Sequence, residues 1–283
     1  MLRVVICFSL MGLALSIASC ATLMGPPRPE NVFLTLKGDP GRTSETRYFS
    51  NTRTLSFEEG QLLRDKTEGV DFSVQTTFKA ANSPDKILKF TARTVRKDGA
   101  VSLHDLSFPE LREEIDYVVH AESAKVLKAG RYPSHSVFFI PTLPLPQRPV
   151  VVGDTWSFEH NWISTHDQVP LRLEMIAILK DLVRCSEGQH WCADLELSGQ
   201  LGVAVPPTVR GAIFESHVRG RALFDLDRGD VLWSEIRSRE EMRTPQQRVL
   251  VHSCMISELK MGEKYRSEFN CQPDDKALIA LPK

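Results

Sequence analysis

None of the apolar runs in these 283 residues is long enough to cross a bilayer as a helix. The longest lies between Val4 and Leu15, is interrupted by Ser9 and Gly12, and gives way to small residues and then Pro26, Pro27 and Pro29. A spanning helix needs about 20 apolar residues. Charge of one sign is missing as well: 35 Lys and Arg stand against 36 Asp and Glu. No basic excess points to nucleic acid or to an anionic membrane surface. The sequence contains no Gly-x-Ser-x-Gly elbow, no His-Glu-x-x-His, no Gly-rich phosphate loop and no dinucleotide fingerprint. The motif-bearing enzyme classes therefore lose their support, although a triad assembled from distant residues leaves no local spacing to read. No catalytic residue, metal ligand or cofactor is assigned. Long helical periodicity is scarce too, which argues against a helix bundle.

What is present is alternation. With 42% hydrophobic and 25% charged residues the chain is an ordinary globular one, able to bury a large core. Apolar and polar residues alternate with period two, and β-branched residues are frequent, so the expected fold is mainly β, built of long antiparallel strands in a curved sheet or two layers. The clearest strand runs from Trp156 to Ile163, with Trp156, Phe158, His160 and Trp162 on one face. Further strands are expected over Leu171–Leu179, Ala193–Val205 and Arg248–Ser257. A long hairpin carries Phe214 to Phe224 on one arm, turns at Asp227-Arg228-Gly229-Asp230 and returns through Val231 and Trp233. In the first half, strands are expected over Arg47–Ser56, Val70–Ala80, Ile87–Val95, Val101–Leu106, Ile115–His120 and Lys125–Arg131, with one helical turn over Pro109–Glu114. Asp98-Gly99 is a hairpin signal. Prolines at 141, 144, 146 and 149 cannot donate to a sheet interior and mark a crossing between two halves, residues 32–140 and 141–271, with 272–283 as a tail.

The first residues read as an export signal: one positive side chain, Arg3, an apolar core, then Ile17-Ala18-Ser19-Cys20. That tetrad resembles the lipobox of bacterial lipoprotein precursors. The resemblance implies cleavage before Cys20, a diacylglyceryl thioether on it, and a membrane partner held through that lipid, because two acyl chains suffice for stable anchoring. Ala21 stands where the aspartate that retains proteobacterial lipoproteins in the inner membrane would be, which favours the outer membrane, facing the periplasm. Residues 20–31, with the lipidated cysteine, are then a Pro-rich tether. Cys7 would leave with the signal, and Cys185, Cys192, Cys254 and Cys271 would remain in an oxidising compartment. Nearest neighbours are the natural pairs, Cys185 with Cys192 and Cys254 with Cys271. A rival reading makes Cys185, His190 and Cys192 metal ligands, but the local sequence supplies no fourth.

Two short segments, Pro149–Trp156 and Phe224–Gly229, resemble segments of uncharacterised β-rich bacterial envelope proteins, a likeness that brings no activity. The carboxylates of Asp225, Asp227 and Asp230 imitate the start of a calcium loop, yet the glycine is displaced and Ile236 stands at the closing position, so a β-turn is expected. His160 and His166 lie about 20 Å apart if the strand between them stays extended, too far for one ion. The face of Trp156, Phe158, His160 and Trp162 suits an amphipathic ligand, or else a plain core. The leading functional reading is a non-enzymatic, membrane-anchored envelope lipoprotein that binds a protein partner or a lipid-like ligand. The alternative is an enzyme that acts on an envelope polymer, lipid or peptide through a dispersed site. The lipid anchor is tested directly: Cys20→Ser should abolish palmitate labelling and detergent partitioning, and a variant that still labels like wild type would remove the lipobox reading.

Overall fold

A computed structural model describes residues 26–80, 86–141, 143–163, 169–185, 190–204, 213–262, 265 and 271–273. Ile17 to Cys20, His166 and the loop of residues 186–189 lie outside the described residues. Eleven strands follow in chain order: β1 Thr43–Glu58, β2 Gln61–Ala80, β3 Ile87–Asp98, β4 Glu114–His120, β5 Val126–Ala129, β6 Thr155–Ile163, β7 Pro170–Arg184, β8 Trp191–Val203, β9 Ile213–Asp225, β10 Asp230–Arg243 and β11 Gln247–Leu259. They form one antiparallel sheet in the order β5-β4-β3-β2-β1-β11-β10-β9-β8-β7-β6. The expected halves are thus two meanders of a single sheet. They are sewn together at its centre by β1 and β11, in register from Thr46 opposite Leu259 to Glu58 opposite Gln247.

This order leaves β5 and β6 at opposite edges, and the Pro-rich crossing connects them. A flat sheet of eleven strands would hold those edges about 48 Å apart. Yet the Ile163 amide of β6 donates to the His135 carbonyl at 2.8 Å. His135 follows the end of β5 by six residues, a reach of at most about 21 Å. The sheet is therefore strongly curled, and the crossing bridges its open side.

The curl creates an inner face, and the chain covers part of it with its own extended segments. Val32 and Leu34 ahead of β1, together with Leu143, Leu145 and Val150 of the crossing, pack on Ala177, Leu179, Leu195, Leu197, Ala222 and Phe224. On the other half, Leu103, Phe138 and Phe139 pack on Val70, Phe72, Val74 and Ile115. Tyr48, Phe72 and Phe108 pack as a ring trio, with centroids 4.4–5.1 Å apart. Val32 and Val150 form a two-residue bridge between the covering segments.

Two expectations need correction. Val101–Leu106 is not a strand, since His104–Leu106 is a 3-10 turn. The Glu110 carboxylate accepts from the Leu103 amide at 2.7 Å and from the Ser102 hydroxyl at 3.1 Å, so the Leu103 amide that a ladder would use is taken, and Leu103 turns inward. Pro109–Glu114 is not helical either: Leu111 bridges Thr94 in parallel and Arg112 has φ +69°. The β1–β2 hairpin also runs further than alternation suggested, to a tip at Glu59-Gly60. There Arg64, Asp65, Lys66 and Glu68 line an edge that, among the described residues, pairs with no strand other than β1, because β3 ends opposite Asp71. Charges along an exposed edge hinder pairing with other chains.

The outer face carries its own cluster, around Leu223, Trp233, Ile256 and both disulfides, Cys185–Cys192 and Cys254–Cys271. Arg237 donates to Glu235 at 2.6 Å and to the Gln272 carbonyl at 2.8 Å, both charges being buried. Nearer the hairpin tip, Arg243 holds the Glu241 carboxyl down at about 2 against the effect of burial, with Arg248 assisting. At the opposite end, which we call the upper end, Lys37 donates to the Leu226 and Asp227 carbonyls at 2.8 and 3.3 Å and closes the β9–β10 turn.

Gly229 in that turn has φ +61°, and a Cβ there would lie 2.5 Å from the Thr35 carbonyl oxygen and 2.6 Å from the Lys37 nitrogen. Gly60 has φ +81° with open space around it. Gly60→Ala should therefore cost about 1–2 kcal/mol from backbone strain alone, and Gly229→Ala roughly 2–4 kcal/mol once the backbone contact is added. Urea midpoints measure both, and equal losses would contradict the close docking of residues 35–37 on the turn.

Candidate ligand-binding face

The edge strand β6 alternates as its sequence requires. Thr155, Ser157, Glu159 and Asn161 are exposed, while Trp156, Phe158, His160 and Trp162 are half-buried. Trp156 and Phe158 pack against the inner cluster, which puts the whole row on the inner face. The Trp156 indole N–H donates to the Pro144 carbonyl at 3.0 Å, tying the row to the crossing. The rings stand in a ladder: Phe158 and His160 are 6.2 Å apart and within 6° of parallel, His160 and Trp162 6.4 Å apart and within 23°.

Register extends this face across the sheet. Met175, Leu173 and Leu171 stand opposite Phe158, His160 and Trp162, and Leu201 and Val203 stand opposite Leu173 and Leu171. Gly199 lets β7 and β8 approach, since a Cβ there would come 2.2 Å from the Glu174 carbonyl oxygen. Val218 pairs with Ser238, Phe214 with Met242, and Ile236 with Met255. Along β7 to β9 the inner face divides in two. In its upper part Ala177, Leu179, Leu195, Leu197, Ala222 and Phe224 are 0–2% exposed beneath the covering segments. In its lower part Leu171, Leu173, Leu201 and Val218 are only partly buried; Ile236 on β10 and Met255 on β11, in the register row of Ala177 and Leu197, are partly buried as well. No described covering segment packs on Ile236, Met255 or Val251.

Two titratable groups sit on this lower trough. The His160 Nε2 is buried and has no hydrogen-bond partner among the described residues. Burial lowers its pKa, and Lys125 next to β5 lowers it further. The neutral ring can donate or accept according to its tautomer. Glu240, opposite Val251 and Ser216, has its carboxyl raised by burial despite a 3.0 Å hydrogen bond from the Ser238 hydroxyl. In the sequence Glu240 lies in a charged run, Arg239-Glu240-Glu241, that reads as solvated surface. Only its position in the ladder shows that it points inward.

The other candidates fall elsewhere. Asp225 caps the β9–β10 turn, accepting from the Asp227 and Arg228 amides at 2.9 Å each, as a turn rather than a calcium loop would have it. His104 lies 2.6 Å and Tyr132 2.8 Å from opposite oxygens of Glu113, and Tyr132 stacks on Phe138 at 4.0 Å. That trio pins the 104–113 segment to the crossing. Shallow grooves of about 410 and 630 Å³ share Glu174 and Gln200; the first is lined also by Phe158 and Met175, the second by Arg172, Leu201 and Phe214.

No known protein family and no curated protein matches this chain. Among solved structures, an outer membrane channel from Pseudomonas putida is 9% identical, over 84% of this chain and 100% of that one, with a TM-score of 0.19. A protein of unknown function from Nostoc punctiforme is 10% identical, over 74% of this chain and 94% of that one, with a TM-score of 0.10. Likenesses this weak assign neither fold nor activity.

Because burial is the main cause of its shift, the titration midpoint of His160 should fall below the ordinary histidine value of about 6.5. Lys125→Ala should raise it only part of the way back. A group whose folded pKa is lowered contributes stability above its unfolded pKa and loses it as pH falls, so the domain should weaken below about pH 6.5. A His160 midpoint at or above 6.5, read by NMR, would refute the buried placement.

Proposed function

We propose that the protein is a lipid-anchored envelope protein that holds an amphipathic, acyl-type ligand in the lower trough of its curled sheet and performs no chemistry on it. The carrying observation is the division of the inner face along β6 to β9: above, the chain fills the sheet with its own residues, while below, the aromatic row and Leu171, Leu173, Leu201 and Val218 are only partly buried. Apolar walls with a few placed polar groups are the usual makeup of ligand sites. The aromatic ladder and the leucines of β7 and β8 fit a hydrocarbon chain, and the His160 Nε2, without a partner among the described residues, fits a hydroxyl or carbonyl on the ligand. A row of aromatics serving only as core would be sealed as tightly as the residues above it.

The anchor bears on orientation. The Pro26 carbonyl accepts from Arg184 at 2.6 Å and from the Trp191 indole at 3.1 Å, and Arg28 pairs with Asp181 at 2.6 Å. Residues from 26 onward are therefore docked on the upper end rather than free as spacer. From a lipidated Cys20 to Pro26 the chain reaches at most about 21 Å. The upper end would stay close to the membrane and the lower trough would face away from it.

A fluorescent fatty acid titrated into the full-length Cys20→Ser protein tests the ligand reading. One saturable site is expected, and Leu201→Asp, which sets a charge on the trough wall, should weaken it at least about tenfold. Leu63→Asp should leave affinity unchanged, because Leu63 lies near the hairpin tip and is 62% exposed. Thermal midpoints monitor folding of each variant. Absence of saturable binding, or equal affinity in Leu201→Asp, would exclude the acyl-ligand reading.

A further inference from the structure

Outside the trough, one cluster has the chemistry of a binding site that the proposed ligand does not use. Cys192 on β8 and Asp225 on β9 are direct cross-strand partners, so their side chains share the outer face. Cys185, immediately after β7, is bonded to Cys192 with the two Cα atoms 5.2 Å apart. The two sulfurs and a carboxylate oxygen of Asp225 all lie within 4.8 Å of one another, and all three residues are buried. Asp225 uses Oδ1 to cap the turn. Its Oδ2 is buried and has no hydrogen-bond partner among the described residues. Turn capping explains the first oxygen and leaves the second unexplained, and a buried carboxylate oxygen without a partner is costly to keep. A cation beside it would supply that partner.

We propose that Cys185, Cys192 and Asp225 form a redox-gated site for a thiophilic divalent cation of the zinc class, closed while the disulfide stands and open once it is reduced. Two thiolates and one carboxylate make a donor set that zinc accepts, at about 2.3 Å to sulfur and 2.0–2.2 Å to oxygen. Donor atoms already within 4.8 Å of one another can close on one ion with small movements. Sequence alone offered Cys185 and Cys192 with too few further ligands, and the fold brings in Asp225 from 33 positions further along than Cys192.

A dithiol reductant supplies two electrons and two protons and becomes a cyclic disulfide; the Cys185–Cys192 bond breaks and two thiols form. The cation then displaces both thiol protons to solvent and takes Asp225 Oδ2 as its third ligand. The fourth position is left to water. His190 stays at the rim, its Nδ1 3.4 Å from the Asp227 carboxylate.

Cobalt(II) is the probe. Full-length Cys254→Ser/Cys271→Ser protein, which keeps only this pair on the outer face, is reduced with a dithiol and exchanged into metal-free buffer. One cobalt per chain should bind with a thiolate-to-cobalt charge-transfer band, and none before reduction. Asp225→Asn retains a capping oxygen for the turn and should weaken cobalt at least about tenfold. Asp227→Asn should leave affinity unchanged. If reduction loosens the domain, cobalt should restore its near-ultraviolet circular dichroism. The proposal is overturned by a missing charge-transfer band, by equal affinity in Asp225→Asn, or by a loosened domain that cobalt leaves unrestored.

Discussion

A curled antiparallel sheet has an inner face that must leave water, and here a single chain has to provide the cover. The strand order makes this possible. Because β1 lies next to β11 at the centre, the first meander ends at one edge and the second begins at the other, and the link between them has to pass over the open side. That obligatory crossing carries Phe138, Phe139, Leu143, Leu145 and Val150 into the interior, while its prolines keep it from joining the sheet. Burial of those side chains adds to the hydrophobic term that drives folding, and among the described residues no equivalent cover lies lower down, so the aromatic ladder of β6 is only partly buried.

The outer face solves a different difficulty. Sheets need two covered faces or one that tolerates water. The upper outer face is sealed by the cluster around both disulfides and by the 271–273 segment, which Asn51 and Arg237 hold through the carbonyls of Cys271 and Gln272. Charges that this buries are matched in place: Arg221 grips Asp194 with two hydrogen bonds at 2.9 and 2.6 Å, and Arg237 meets Glu235. Breaking either pair would leave a buried charge uncompensated, a far larger penalty than the net worth of the pair.

Much of this architecture was legible as alternation, and what was not legible shares one cause. Period two identifies strands and says which residues share a face, but it does not say which strands are neighbours. β6 could be read in full because its row of aromatics sets one face apart without any partner. The hairpin extension from Gln61 to Gly69 escaped because both its faces meet water, so no alternation survives there. Val101–Leu106 misled because its apolar residues are bound for the interior through a turn held by Glu110, a contact set by side-chain hydrogen bonds and not by periodicity. Glu240 and Asp225 take their meaning entirely from cross-strand position, the first inside the trough and the second beside a disulfide.

The docking of Pro26 and Pro27 against Arg184 and Trp191 also decides how a mechanical load would enter the molecule. Tension applied through the chain before residue 26 falls first on the hydrogen bonds to those carbonyls and on the Arg28–Asp181 pair. It passes next to the bridge between Val32 and Val150. Arg184 and Trp191 are the facing ends of β7 and β8, and the Cys185–Cys192 bond staples those ends together. Such a pull is thus taken up at a covalently clamped corner of the sheet, at the upper ends of β7 and β8 and away from the lower parts of those strands that line the trough.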